Sequence, residues 1–244
     1  MPARLYFFEL SHPSQVVRIA LRMKGVPFEE RRLPAGLHPA LLRLYGFRGG
    51  TVPALKLEDG RRLQSSLEIT RVLDELVPGE PVLHPSAEVT EAERWGEAEL
   101  QPSCRRMIRW AAVRQLDVRA WIGAQSGMPA PRASARTARP IAARLANQVG
   151  ADDAGVQREL ALLPARLDRV DALLASGVLG GETLNAADLQ IGCSVRILLT
   201  IPQVAPYVEG RPCEAHARRV LPGAPEPVPL RLPQEWLPAV QSSR

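Results

Sequence analysis

Little in this sequence points to metals, membranes or nucleic acid. Only three cysteines occur in 244 residues, Cys104, Cys193 and Cys213. They lie far apart, form no Cys-x-x-Cys pair and cannot all pair with one another, which argues against a disulfide framework or a zinc ribbon. Free thiols in a reducing cytoplasm are the expectation. No run approaches the ~18 consecutive apolar residues that a membrane helix needs. Met1-Pro2-Ala3-Arg4 leads straight into an apolar stretch, without a charged-then-apolar leader. Lysine is nearly missing: Lys24 and Lys56 are the only two, so 29 of the 31 basic residues are arginine. The formal charge of +5 and pI near 9.6 come from arginines scattered among Glu and Asp, and no nucleic-acid motif accompanies them. Mild basicity of this kind favours at most an anionic small ligand.

What is present is an ordinary globular composition, 45% hydrophobic and 23% charged, long enough for one large domain or two small ones. Residues 5–10 form an apolar, aromatic run that reads as a buried first strand. Ser11-His12-Pro13-Ser14 interrupts it. Val16, Val17, Ile19, Ala20, Leu21 and Met23 then mark a helix stopped by Gly25 and Pro27. Residues 27–33 read as a second strand, and a strand–helix–strand unit implies parallel pairing with a right-handed crossover. Leu37-His38-Pro39 opens a short helix through Leu44, ended by the glycine-rich loop 46–50. In Thr51-Val52-Pro53-Ala54-Leu55 the proline cannot donate to a sheet ladder. It suits the first residue of a strand, with Val52 extended and its backbone groups free. Glu58-Asp59-Gly60-Arg61 reads as a tight hairpin turn and residues 62–64 as the returning strand. From Ser65 or Ser66, either a plausible N-cap, Leu67, Ile69, Val72, Leu73 and Leu76 recur at helical spacing.

The resulting order, β-α-β-α-β-β-α over residues 3–77, with Val52-Pro53 entering a strand and Gln64-Ser65 opening a helix, resembles the thioredoxin-like half of the glutathione transferase family. The resemblance implies that the Val52-Pro53 bond is cis. It implies that the backbone of Val52 pairs with the cysteinyl part of glutathione, that Gln64 and Ser65 hold the γ-glutamyl end, and that His38 reaches the glycine carboxylate. The ligand's thiol would lie against the start of the first helix, where a hydroxyl donor and the helix's partial positive charge favour the thiolate. Ser11 stands seven residues before Arg18 of Val17-Arg18-Ile19-Ala20-Leu21, the place of the active serine in serine-type members. Ser11 is therefore the candidate thiol activator, with Ser14 and Tyr6 as fallback donors. The plainer alternative is that Ser11 or Ser14 only caps the helix. His12 titrates near neutral pH and could orient the ligand, although a solvated loop histidine is the simpler expectation. None of the three cysteines is near, which disfavours thiol–disulfide chemistry.

Two departures stand out. Many members carry Asn-Pro-x-Gly-Lys before Val-Pro; here the stretch is Gly46-Phe47-Arg48-Gly49-Gly50-Thr51. Thr51 supplies no cation, leaving Arg48 as its substitute. The helix opens Ser65-Ser66-Leu67-Glu68 instead of Ser-Asn-Ala. These changes leave room for a different low-molecular-weight thiol.

Residues 77–85 are dense in Pro and Gly and read as a linker. Beyond it the pattern is helical. A long segment capped by Ser86 or Thr90 reaches about Gly123, with a kink near residues 98–102 at Pro102. Trp95, Met107, Trp110 and Trp121 are candidates for a hydrophobic wall facing the ligand, or ordinary core. Residues 126–137 read as a loop, followed by helices over 138–149 and 155–175. Asn185 and Asp188 form a capping box at the head of the next helix, resembling the family's buried folding motif, so Asp188 is expected to be structural. A short helix around 213–219 precedes a tail rich in proline, including Pro222, Pro225, Pro227, Pro229 and Pro233, which either walls off the site or braces the helices.

The domain organisation expected is thus a thioredoxin-like thiol-binding domain over 1–78, a linker over 79–87, an all-helical domain over 88–220 and a tail over 221–244. The implied function is a cytoplasmic, homodimeric glutathione-transferase-like enzyme, without metal, that turns a glutathione thiolate on a small hydrophobic electrophile in detoxification. The alternative is a non-catalytic ligand-binding or interaction protein on the same fold.

Overall fold

The computed structural model describes residues 2–34, 36–79, 81–223 and 226–239; Met1, Glu80 of the linker, and Pro225 and residues 240–244 of the tail lie outside them. The chain begins with β1 (Ala3–Phe7), α1 (His12–Met23), β2 (Phe28–Arg32), α2 (His38–Leu44), β3 (Ala54–Lys56), β4 (Arg62–Gln64) and α3 (Ser66–Leu76). The sheet order is β2-β1-β3-β4, with β1 parallel to β2 and antiparallel to β3, and β3 antiparallel to β4. This is the expected thioredoxin-like arrangement. The first strand ends earlier than its apolar run, because the chain turns after Phe7 towards the cap of α1.

Alternation along β1 separates the two faces of the sheet. Ala3, Leu5 and Phe7 pack with Val16, Val17, Ala20 and Leu21 of α1 and Ile69 and Leu73 of α3. Tyr6 points the other way, into a smaller cluster with Leu33, Leu42 of α2 and Phe47.

The remainder is helical: α4 (Ala87–Trp95), α5 (Gln101–Arg114), α6 (Leu116–Gln125), α7 (Pro131–Thr137), α8 (Arg139–Asn147), α9 (Asp153–Ala175), α10 (Ala186–Leu198) and α11 (Pro212–Val220). Ser86, not Thr90, caps α4, its hydroxyl accepting from Val89 N–H. The expected kink at Pro102 is a π-helical turn over Gly96–Leu100, after which Pro102 sits in the first turn of α5, where its missing N–H costs nothing. Gly96 allows α10 to approach: a Cβ there would lie 2.8 Å from Ile191. The long helix is further divided at Gln115, whose backbone is extended (φ −115°, ψ 119°). Residues 131–137, expected as loop, form α7, because Pro131 fits a first helical turn as readily as a loop.

Every residue of α10 is buried. On one side Ala187, Ile191 and Val195 join the helical core; on the other Ala186, Leu189 and Cys193 complete the core beneath α1 and α3. The capping box at its head is present, with Asn185 Oδ1 accepting from Asp188 N–H and Asp188 Oδ2 accepting from Asn185 N–H.

The tail braces the helices. Val228, Leu230 and Leu232 are buried in the helical core. The side chains of Gln115 and Gln203 each bond both ways to the tail backbone, at Arg231 and Leu232. Trp236 packs 5.3 Å from Trp110. Trp95, Met107 and Trp110 belong to this core too, and Trp121 packs against it, so these residues are packing rather than a ligand wall.

The linker is tied by a polar chain. The Asp74 carboxylate accepts from the N–H groups of Leu83 and His84, and Lys24 Nζ lies 3.1 Å from it. The His84 ring bridges Asp74 (2.9 Å) and the buried Glu93 (3.1 Å). Burial alone would lower the His84 pKa; the hydrogen bonds to Glu93 and Asp74 outweigh it and raise the pKa overall. No helix among the described residues is long and apolar enough to cross a membrane.

Candidate active site

Strand register determines which candidates meet. Tyr6 lies opposite Ala54, and Ala54 opposite Gln64. The chain leaving β1 towards Ser11, the chain entering β3 through Val52-Pro53, and the chain leaving β4 through Gln64-Ser65 therefore gather at one end of the sheet. The Val52-Pro53 bond is cis. The β1–β3 pairing begins at Ala54, and the N–H and C=O of Val52 have no hydrogen-bond partner among the described residues. An extended, peptide-like ligand can pair there.

Ser11 is half-buried at the N-cap of α1, and its hydroxyl accepts a long bond (3.4 Å) from Ser14 N–H. Capping uses a lone pair and leaves the O–H proton free to donate. The capping role and the thiol-activating role are thus compatible. Ser14 is fully buried and its hydroxyl has no partner among the described residues. Tyr6 lies on the α2 face against the rings of Tyr45 and Phe47, away from the α1 face of the sheet.

His12 is not a solvated loop side chain. It is 5% exposed, and its Nδ1 lies 4.0 Å from Cys104 Sγ on α5. Burial, with nearby Arg105 adding to it, lowers its pKa to about 3, so the imidazole is neutral. Its Nε2 has no partner among the described residues. One cysteine is thus near the site after all, brought by packing across 92 residues. Burial pushes the Cys104 thiol up to about 12, so it stays protonated and unreactive. Thiol–disulfide chemistry remains disfavoured, on account of burial rather than distance.

The α3 end is more self-engaged than its residue types suggest. Gln64 Oε1 accepts from Gly49 N–H at 2.7 Å, while its Nε2 donates to the carbonyls of Gly49 and Thr51. Gly49 is required by this clamp, since a Cβ would sit 2.9 Å from Gln64 Oε1. Ser65 is in the left-handed region (φ 78°) and its hydroxyl caps α3 by accepting from Glu68 N–H. The Glu68 carboxylate returns to Gln64 N–H at 2.8 Å. Ser66 was missed by sequence reasoning. Its hydroxyl donates to Gln190, which donates on to Gln101, a buried polar chain leading from α3 towards His12. No local pattern could have revealed it, because its members lie on three distant helices.

His38 opens α2 with a buried Nδ1 lacking a partner among the described residues, and burial, then Arg109, lowers its pKa. Arg48 is exposed. Asp188 is fully buried and also accepts from Gly180 N–H. Among the described residues no group of His, Cys, Asp and Glu could hold a metal ion. Two open clefts elsewhere, of about 720 and 1080 Å³, include Asn185 and Trp121 respectively and none of the thiol-site candidates.

Residues 5–81 match the family model for the glutathione S-transferase N-terminal domain. No curated protein matches the chain. Solved structures with the same fold include glutathione S-transferase III in apo form (TM-score 0.60, 23% identity, 96% of this chain and 100% of that one). Another is a glutathione S-transferase from Rhodospirillum rubrum F11 (TM-score 0.58, 20% identity, 96% and 97%). A third, from Methylobacillus flagellatus KT, has glutathione bound (TM-score 0.55, 20% identity, 89% and 93%). Residues 5–81 thus match the glutathione S-transferase N-terminal domain, and almost the whole chain shares the fold of solved glutathione S-transferases.

Proposed function

We propose that the protein binds a γ-glutamyl thiol, glutathione in the first instance, at the end of the sheet and turns its thiolate on a small electrophile. The observation that carries this reading is the unpaired backbone of Val52 beside the start of α1, where the half-buried Ser11 keeps a hydroxyl proton to give. In this reading the cysteinyl backbone of the ligand pairs with Val52. Ser11 O–H then donates to sulfur, and the first turn of α1 adds its partial positive charge. A thiol of pKa about 8.5 is thereby shifted towards thiolate at neutral pH. The thiolate forms a carbon–sulfur bond at the electrophile, and the displaced electron pair leaves with the leaving group. Residues 1–78 supply the thiol site and 88–220 face the electrophile; a cytoplasmic homodimer is the working assembly.

One feature favours a second reading, that the fold serves a different small thiol or a non-catalytic binding task. Gln64 is spent on the 49–51 loop and the Glu68 carboxylate already occupies Gln64 N–H. Part of the γ-glutamyl cradle is therefore used internally, with a negative charge at its mouth.

Calorimetric titration with reduced glutathione and, in parallel, S-hexylglutathione separates the two. Saturable binding of both, weakened by Gln64→Ala and Ser65→Ala, supports the transferase reading. Absence of binding by either favours the second.

A further inference from the structure

Three polar side chains meet in the interior, each from a different helix: Ser66 of α3, Gln190 of α10 and Gln101 of α5, none more than 3% exposed. Their hydrogen bonds run one way. Ser66 Oγ donates to Gln190 Oε1 at 3.1 Å, and Gln190 Nε2 donates to Gln101 Oε1 at 2.8 Å. The Gln190 amide is thereby fixed, with its carbonyl towards α3 and its nitrogen towards α5. From Gln101 the path continues to α1. The Gln101 backbone carbonyl accepts from Cys104 Sγ at 3.4 Å, and that sulfur lies 4.0 Å from His12 Nδ1. Ser66 directly follows Ser65, the cap of α3, and His12 directly follows Ser11, the cap of α1. The two helix starts that bear the thiol-site candidates are therefore joined through α10 and α5.

The backbone around the path accommodates it. The π-helical turn over Gly96–Leu100 ends at Gln101. Its i→i+5 bonds rotate the side chains that follow relative to an unbroken α-helix. Gly96 supplies room, since a Cβ there would lie 3.3 Å from Gln190 Cγ as well as 2.8 Å from Ile191. Polar side chains in a core carry a desolvation cost that apolar ones of equal size avoid. Fully partnered, they fix one arrangement of the elements they join, because any shift leaves a buried donor or acceptor alone.

We propose that Gln190 and Gln101 are positioning residues for the thiol. They hold the start of α3, where the γ-glutamyl end is read, in fixed relation to the start of α1, where Ser11 meets the sulfur. Neither touches the ligand; both act through Ser66 beside Ser65 and through His12 beside Ser11. The inference rests on the transferase reading for the ligand's identity, but the coupling of the two helix starts is testable without any ligand.

The test uses the full-length protein with Gln190→Met, which keeps the volume and removes both hydrogen bonds, and with Ser66→Ala, which removes only the first. Hydrogen exchange of the ligand-free protein, followed by mass spectrometry, should quicken in Gln190→Met over residues 12–17 and 65–70 together. The expected factor is about 2–13-fold, the worth of one net hydrogen bond. Quickening at only one of the two starts, or at neither, overturns the proposal. If Gln190→Met does not fold, Ser66→Ala carries the same measurement, with quickening at residues 12–17 as the required result. In calorimetric titration with reduced glutathione, each single variant should bind about 2–13-fold more weakly, and the double variant no more weakly than the worse single one. The ultraviolet titration of the bound thiol should move towards its free value in both. Variants that are only less stable, with unchanged affinity and unchanged thiol ionisation, make the chain structural and overturn the proposal as well. If the unmodified protein binds no glutathione while both starts quicken together, the transferase reading fails and the coupling stands.

Discussion

Replacing Asp188 with alanine tests whether this buried carboxylate holds the fold rather than the chemistry. Asp188 is wholly inaccessible and accepts two backbone hydrogen bonds of 2.8 Å, from Asn185 N–H and Gly180 N–H. His216 Nε2 also lies 3.3 Å from it. Alanine removes the acceptor and leaves the two backbone donors without a partner, at about 1–3 kcal/mol for each unsatisfied buried group. A total of about 2–6 kcal/mol follows, a large share of a typical stability of about 5–15 kcal/mol. For a chain of this size that corresponds to a fall in Tm of about 4–24 °C. Thermal and urea unfolding followed by circular dichroism measure the loss, and titration of the folded protein with glutathione measures the site. The account requires a large stability loss with unchanged ligand affinity. A variant of ordinary stability that has lost its thiol affinity or turnover would refute the reasoning and make Asp188 part of the site.

Two further predictions concern the parts that hold the domains together. Leu230 is buried in the helical core, so Leu230→Ala should cost about 2–4 kcal/mol in urea unfolding and leave glutathione affinity unchanged; a tail that walled off the site would show the opposite pattern. His84 has a raised pKa in the folded state. Its contribution is therefore fully present below its unfolded value of about 6.5 and is lost as pH rises through the folded value. Stability measured across that window should decline in the unmodified protein and decline less in His84→Gln; parallel curves would remove His84 from the linker's stability.

The N-terminal half was legible because its information is local. Apolar runs, Gly25 as a stop, Gly60 in the hairpin and Pro53 at a strand start each act over a few residues, and all appear where expected. The capping box of Asn185 and Asp188 is a signal within four residues and is present as written. What escaped depends on contacts across long stretches of chain. His12 looked solvated because nothing nearby shows that α5 will bury it against Cys104. Gln64 looked free for a ligand because its partners, Gly49 and Thr51, become neighbours only once β3 and β4 pair. The tail's role was open until Gln115 and Gln203 took hold of its backbone. The break at Gln115 and the helix α7 escaped for a different reason: neither a one-residue interruption nor a proline in a small-residue stretch distinguishes helix from loop.

The central claim is that Ser11 and the start of α1 lower the pKa of a bound thiol. The direct measurement is a pH titration of the thiolate ultraviolet absorbance of glutathione saturating the unmodified protein and Ser11→Ala. The account predicts that the bound thiol ionises clearly below its free value of about 8.5. Loss of the Ser11 hydrogen bond should raise that value by about one unit while binding persists. A bound thiol that titrates as in water, or one whose ionisation is indifferent to Ser11→Ala, would contradict it.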